Sequence, residues 1–259
     1  MERLASHQKP AGLTGSALRT WGIFFLAIGI IGRGVLQTRL LGIGRISSME
    51  LLELMQSSNN MMIFATLALV LQAMETCAVP IFAFLLVEGF QHTSNFWKYL
   101  LRVLGVAALS EIPYNLAIGG KLLDFSTRNP VFGMVLALIL LYLYSRFAEN
   151  NVKNVAIKIL LTLAGLLWPG MLSIEGGTPL IILVCVVWLF RRKPMARNMI
   201  GATAAIVCTL LDPFYLAAPM GFLAVHFHNG EQGEKNRVVN YLAYPAILLV
   251  IGLVATFMM

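Results

Sequence analysis

Three glutamates stand where apolar sequence should exclude them. Glu75, Glu88 and Glu111 lie inside or at the ends of hydrophobic stretches long enough to cross a bilayer, and Arg33 lies inside another. An ionisable group at the centre of a bilayer costs roughly 2.5 kcal/mol or more, so such residues are functional candidates by default. Helical rise puts Arg33 about 22 Å, Glu75 about 20 Å and Glu111 about 21 Å from the cytoplasmic end of their spans. One cation and two anions at one depth predict a paired cluster, because a buried charge without a partner is strongly destabilising. Ser110 and Asn115 add hydrogen-bonding groups to that layer, and Pro113 removes a backbone donor beside Glu111. Two readings of the cluster stand: a functional centre, or a lock that holds three helices together.

A second polar layer is expected at the cytoplasmic boundary. Glu88, Gln91 and His92 are spaced i, i+3 and i+4 and so share a helix face; Lys98 and Arg102 have the same spacing at the start of the next span. Histidine beside a carboxylate suits general-base catalysis, since the carboxylate orients the ring and stabilises its cation. A histidine at a membrane boundary can equally be a simple interfacial residue. His226 and His228 end one span, and Tyr241 and Tyr244 begin the last. The i, i+2 spacing of the two histidines points them apart on a helix, which argues against a metal site there.

The elements that must carry these groups are membrane helices. The chain of 259 residues is 58% hydrophobic and 12% charged, with a mean hydropathy of +0.79, outside the range of soluble domains. Hydropathy predicts an all-α, polytopic transmembrane bundle of about nine spans, near 18–37, 61–88, 97–118, 130–147, 154–171, 178–190, 197–211, 214–228 and 239–258. They form one integral membrane domain over residues 1–259, surrounded by lipid, with no repeat or linker. With the N-terminus inside, only Arg39, Arg45, Lys121 and Arg128 fall outside and Arg33 falls within a span; the other Lys and Arg are cytoplasmic. The asymmetry predicts N-terminus in and C-terminus out, and it accounts for the net charge of +7 without nucleic acid. The first stretch is too long for a signal-peptide core and lacks an A-x-A exit, so it is expected to be an uncleaved anchor. Cys77, Cys185 and Cys208 all lie in apolar segments, which suits neither a disulfide framework nor zinc. Residues 38–60 mix apolar and charged positions and predict either an amphipathic helix on the outer face or a plain connecting loop.

The block Pro80–Thr93, with Lys98–Arg102 and Ser110–Leu116 after it, resembles the TraX family of membrane proteins. The later block His228–Gly233 and the pair Tyr244–Pro245 are similar to that family's last loop and last span. The family is named for a conjugation protein that acetylates the N-terminus of pilin, and it is similar to other integral membrane acyltransferases. The resemblance implies acetyl-CoA as the donor and an amine or hydroxyl acceptor on a peptide, sugar or lipid. Taken with the spacing above, acyl transfer leaves His92, Glu88 and Glu111 as the candidate catalytic residues. Lys98, Arg102, His226, Lys235 and Arg237 are the candidate holders of the CoA phosphates. The chain departs from the family pattern at Ile28–Gly29–Ile30, where many relatives carry an Asp-His pair, and at Ala246, where many carry a His. A non-catalytic scaffold and a proton or small-ligand transporter are the competing functions. The absence of an inverted repeat weighs against the transporter.

Overall fold

The fold was taken from a computed structural model, which describes residues 12–42, 53, 58–124, 126–147, 149, 151–233 and 237–257, with 237–240 as backbone only. Every regular element among them is helical. Helix α1, Gly15–Ile30, begins at Thr14, whose hydroxyl accepts the Ala17 amide at 3.3 Å. It continues into a π-helical stretch, Ile31–Leu40, far longer than the single π-turns usual in proteins. Gly34 within it backs onto the Ala117 carbonyl, an approach that a Cβ would block.

The stretch expected as one span over 61–88 is two helices, α2 (Asn59–Glu75) and α3 (Ala78–His92). The break has local causes. Pro80 cannot donate to the Thr76 carbonyl, so the helical ladder fails there. The Thr76 hydroxyl donates to Phe214 O at 3.1 Å, and the Cys77 thiol reaches Ala217 O at 3.2 Å. Helix α4, Phe96–Gly119, is capped by Asn95, accepts Pro113 in its interior, and ends on Gly120 in the left-handed conformation. There follow α5 (Val131–Arg146), α6 (Val152–Met171), α7 (Gly177–Leu189) and α8 (Pro194–Val207). Two 3-10 turns, Cys208–Leu210 and Pro213–Ala217, lead to α9 (Pro219–His226), and α10 (Arg237–Phe257) closes the bundle.

Four stretches are long and apolar enough to cross a membrane: Gly15–Leu40, Asn59–His92, Phe96–Gly119 and Val152–Met171. Val131–Arg146, Gly177–Leu189 and Tyr241–Phe257 are apolar but shorter. The expected span at 214–228 is a 3-10 turn followed by the short α9. Large apolar side chains such as Ile63, Leu109, Leu160 and Leu210 cover the outside, the surface of a protein solvated by lipid. Inside, α4 packs along α10, and α3 stands centrally against α1, α7 and α9.

The starts of α1, α4, α6, α8 and α10 gather at one end with the ends of α3, α5, α7 and α9. Arg19, Lys98, Arg146 and Arg191–Lys193 cluster there, so it is called the basic end below. Residues 227–232 run along the start of α1 at this end. Leu13 N donates to Phe227 O at 2.7 Å, Gly15 N to Glu231 O at 2.7 Å and Ser16 N to Gln232 O at 3.0 Å. These bonds occupy amides that a helix start leaves unmet. Most of the segment 38–60, expected as an amphipathic helix or loop, lies outside the described residues.

Candidate functional site

Two polar centres lie in the bundle among the described residues. The first is a cavity of about 480 Å³ at the basic end, enclosed by α1, α3, α4, α5 and α10. Arg19, Glu88, His92, Thr93, Ser94, Arg102, Gln232 and Tyr241 line its mouth, and Leu26, Val106, Val131, Met134 and Tyr244 its depth. Of the expected site residues, the cavity unites His92, Glu88 and Arg102. Lys98 does not line it. His226 turns instead to Asn198, 3.4 Å away. Lys235 and the side chain of Arg237 lie outside the described residues.

The expected pairing of His92 with the Glu88 carboxylate is replaced by another. His92 Nδ1 sits 2.8 Å from the Glu88 backbone carbonyl, because i+4 spacing places the ring over the preceding turn. That contact makes Nδ1 the donor and leaves Nε2 free to accept a proton. The Glu88 carboxylate is 3.2 Å from His228 Nε2 instead, while His228 Nδ1 is 2.9 Å from Leu13 O. Both His228 nitrogens are therefore engaged, and the ring fastens the 227–232 loop to α3 rather than serving a substrate. Arg197 stands 4.6 Å over the Phe84 ring beside this pair.

The second centre lies toward the opposite end, where four helix breaks converge. Arg33 Nη2 bonds Glu75 Oε1 at 2.6 Å, and Arg33 Nη1 pairs with Glu175. Tyr114 donates its hydroxyl to the other Glu175 oxygen. Glu175 occupies the turn between α6 and α7. Asp212 caps the second 3-10 turn, and both line a cavity of about 70 Å³ with Arg33, Glu75, Gln72 and Tyr215. Gly29 is what lets α1 approach: a Cβ there would overlap the Glu75 side chain. Glu75 thus fills the space opposite the position where the family pattern differs.

Glu111 does not join Arg33 as the depth count suggested. Its Oε2 accepts the Asn129 amide at 3.2 Å and Asn129 Nδ2 at 2.5 Å. Asn129 Nδ2 also reaches Ala107 O, and its Oδ1 caps Val131 N, so this asparagine anchors the α4–α5 connection. Asn115 is buried on α4. Sequence reading missed Glu175, Asn129 and Arg19 as site residues. Asn129 had a signal in Asn-Pro before an apolar run, a common helix-start pattern. Glu175 had none, since an acid in a short turn between spans ordinarily faces water.

Ion pairs buried in a bundle with an apolar exterior mark a membrane protein with a built interior site. The class narrows on comparison: the family model described as TraX protein matches residues 59–255, and the chain belongs to that family. It is also similar to the probable fimbrial assembly protein FimC, serogroup H1, of Dichelobacter nodosus, with 25% identity over 190 residues, 64% of this chain and 75% of that protein. No solved structure matches the chain.

Proposed function

We propose that this protein is a multi-pass membrane acyltransferase of TraX type, with the basic end in the cytoplasm, about nine crossings and the C-terminus outside. The observation that carries the reading is the shape and charge of the larger cavity: cations at its mouth and a long apolar shaft behind them. A CoA thioester has the same asymmetry, with phosphates at one end and an extended neutral arm at the other. Arg19 and Arg102 suit the phosphates, since guanidinium groups bind phosphate oxygens through paired, charge-assisted hydrogen bonds. The start of α4 at Thr93–Asn95 adds hydroxyl and amide groups beside them.

The reaction requires an acceptor amine or hydroxyl to lose a proton as it attacks the thioester, and donors to hold the oxyanion. The two expected bases differ in their access to the cavity. His92 presents Nε2 at the mouth, while Glu111, whose Oε1 has no partner among the described residues, lies on α4 outside the cavity lining. The name of the Dichelobacter relative makes a fimbrial subunit a reasonable acceptor to try first.

Calorimetry of the detergent-solubilised chain with CoA and acetyl-CoA tests the reading. Binding is expected, weakened about tenfold or more by Arg19→Ala or Arg102→Ala, because each removes a charged hydrogen bond worth about 1.5–3 kcal/mol. Lys98→Ala should change it little. A wild-type chain that binds neither compound and becomes acetylated by neither would leave the scaffold reading in its place.

A further inference from the structure

The larger cavity is deep for a two-carbon group. Its wall on α1 runs from Gly15 to Leu26, about 16 Å by helical rise, and on α3 from His92 to Phe82, about 15 Å. The arginines stand in the part nearest the mouth, while Leu26, Val106, Val131 and Met134 line the rest. Phosphates held at Arg19 and Arg102 therefore send the tip of the pantetheine arm, where the thioester is, toward the floor and away from His92.

Among the described residues the floor carries one polar side chain, Tyr244. It is 7% exposed, and its hydroxyl has no hydrogen-bond partner among the described residues. Its level follows from the packing of α10 on α4. Gly252 touches Leu116 and Ala117, and Tyr244, eight residues earlier, lies about 12 Å nearer the basic end, which is the level of Ser110. Ser110 Oγ and Glu111 Oε1 are also buried without partners among the described residues, but neither residue lines the cavity. Leaving a buried polar group unsatisfied costs about 1–3 kcal/mol, so the Tyr244 hydroxyl, on a residue that lines the cavity, calls for a polar occupant there. A thioester carbonyl at the tip of the arm is such a group.

We infer that the Tyr244 hydroxyl is a catalytic residue that donates a hydrogen bond to the thioester carbonyl at the cavity floor; this rests on the acyltransferase reading above. The acceptor nitrogen or oxygen attacks the carbonyl carbon, and the π pair moves to the oxygen that Tyr244 holds. The carbonyl re-forms as the C–S bond breaks. The sulfur keeps the bonding pair and takes up the proton that the acceptor gives off. His92 meets the phosphate end of the donor.

The test uses the full chain in detergent, acetyl-CoA as donor and hydroxylamine as a probe acceptor, with release of free CoA thiol as readout. Tyr244→Phe is expected to lower kcat by about 10²–10³, the usual cost of losing one oxyanion donor, and to leave KM for acetyl-CoA unchanged. A second readout does not depend on turnover. The ketone analogue of acetyl-CoA, with methylene for sulfur, should show a carbonyl stretch shifted to lower frequency in wild type and not in Tyr244→Phe. Wild-type turnover matched by Tyr244→Phe, or an unchanged carbonyl stretch, overturns the role of Tyr244 and leaves the acyltransferase reading standing. A wild type that neither binds nor cleaves acetyl-CoA overturns both.

Discussion

Replacing Arg33 by Met removes one guanidinium and strands two carboxylates of unequal burial. The Glu75 side chain is 14% exposed and the Glu175 side chain 36%. Two charges at about 4 Å interact by about 4 kcal/mol at the effective dielectric typical of such sites. Removing one partner of a buried pair costs about 3–5 kcal/mol by experiment. Most of that loss should come from Glu75, because water reaches Glu175 and screens its share. Methionine matches arginine's stem in length, so an empty cavity contributes little. The variant is therefore expected to lose about 3–5 kcal/mol, read from reversible unfolding in mixed micelles by tryptophan fluorescence. Adding Glu75→Gln should return at least half of the loss, and Glu175→Gln much less. A loss under about 1 kcal/mol, the scale of an exposed pair, would refute the buried-pair argument. So would recovery with Glu111→Gln in place of Glu75→Gln.

Gly29→Ala should destabilise the same measurement by about 1–3 kcal/mol, the cost of overpacking, because its Cβ overlaps Glu75; a neutral result would show that α1 can move away. Gly105→Ala, with open space around it, should instead be neutral or gain about 0.5–1 kcal/mol. Asn129→Ala removes three side-chain hydrogen bonds at the α4–α5 connection and should cost about 2–4 kcal/mol at about 1 kcal/mol each plus the stranded groups. A change under about 0.5 kcal/mol, the scale of ordinary surface substitutions, would deny it that role. For orientation, Ser173→Cys should react with an impermeant thiol reagent from outside whole cells and Lys193→Cys only after permeabilisation. The reverse pattern would invert the proposed topology.

The helical, lipid-facing character of the chain was legible because composition and long apolar runs leave few alternatives. The grouping of Glu88, His92 and Arg102 was legible too, since i, i+4 spacing acts within one helix or across one short turn. What lay beyond the sequence was any contact set by where helices break. Depth counting assumed that every span is straight, and so it matched Arg33 with Glu111. The split at Thr76–Cys77 and the π-helical stretch alter both the depth and the facing of the residues beyond them. Glu175 enters from a turn far away in sequence, and no period in the chain marks it. Within the cavity, the Glu88 carboxylate turned to His228 because the 227–232 loop returns to α1, a tertiary event that helical spacing does not describe.

That returning loop also sets an order of assembly. The amides at the start of α1 are made first, and their partners at 227–232 are synthesised some two hundred residues later. Until that loop has been made, the start of α1 lacks those partners and the cavity lacks part of its rim. The α10 wall that carries Tyr244 follows later still. The chamber is therefore complete only when α10 stands beside α1, and its walls join segments far apart in the chain.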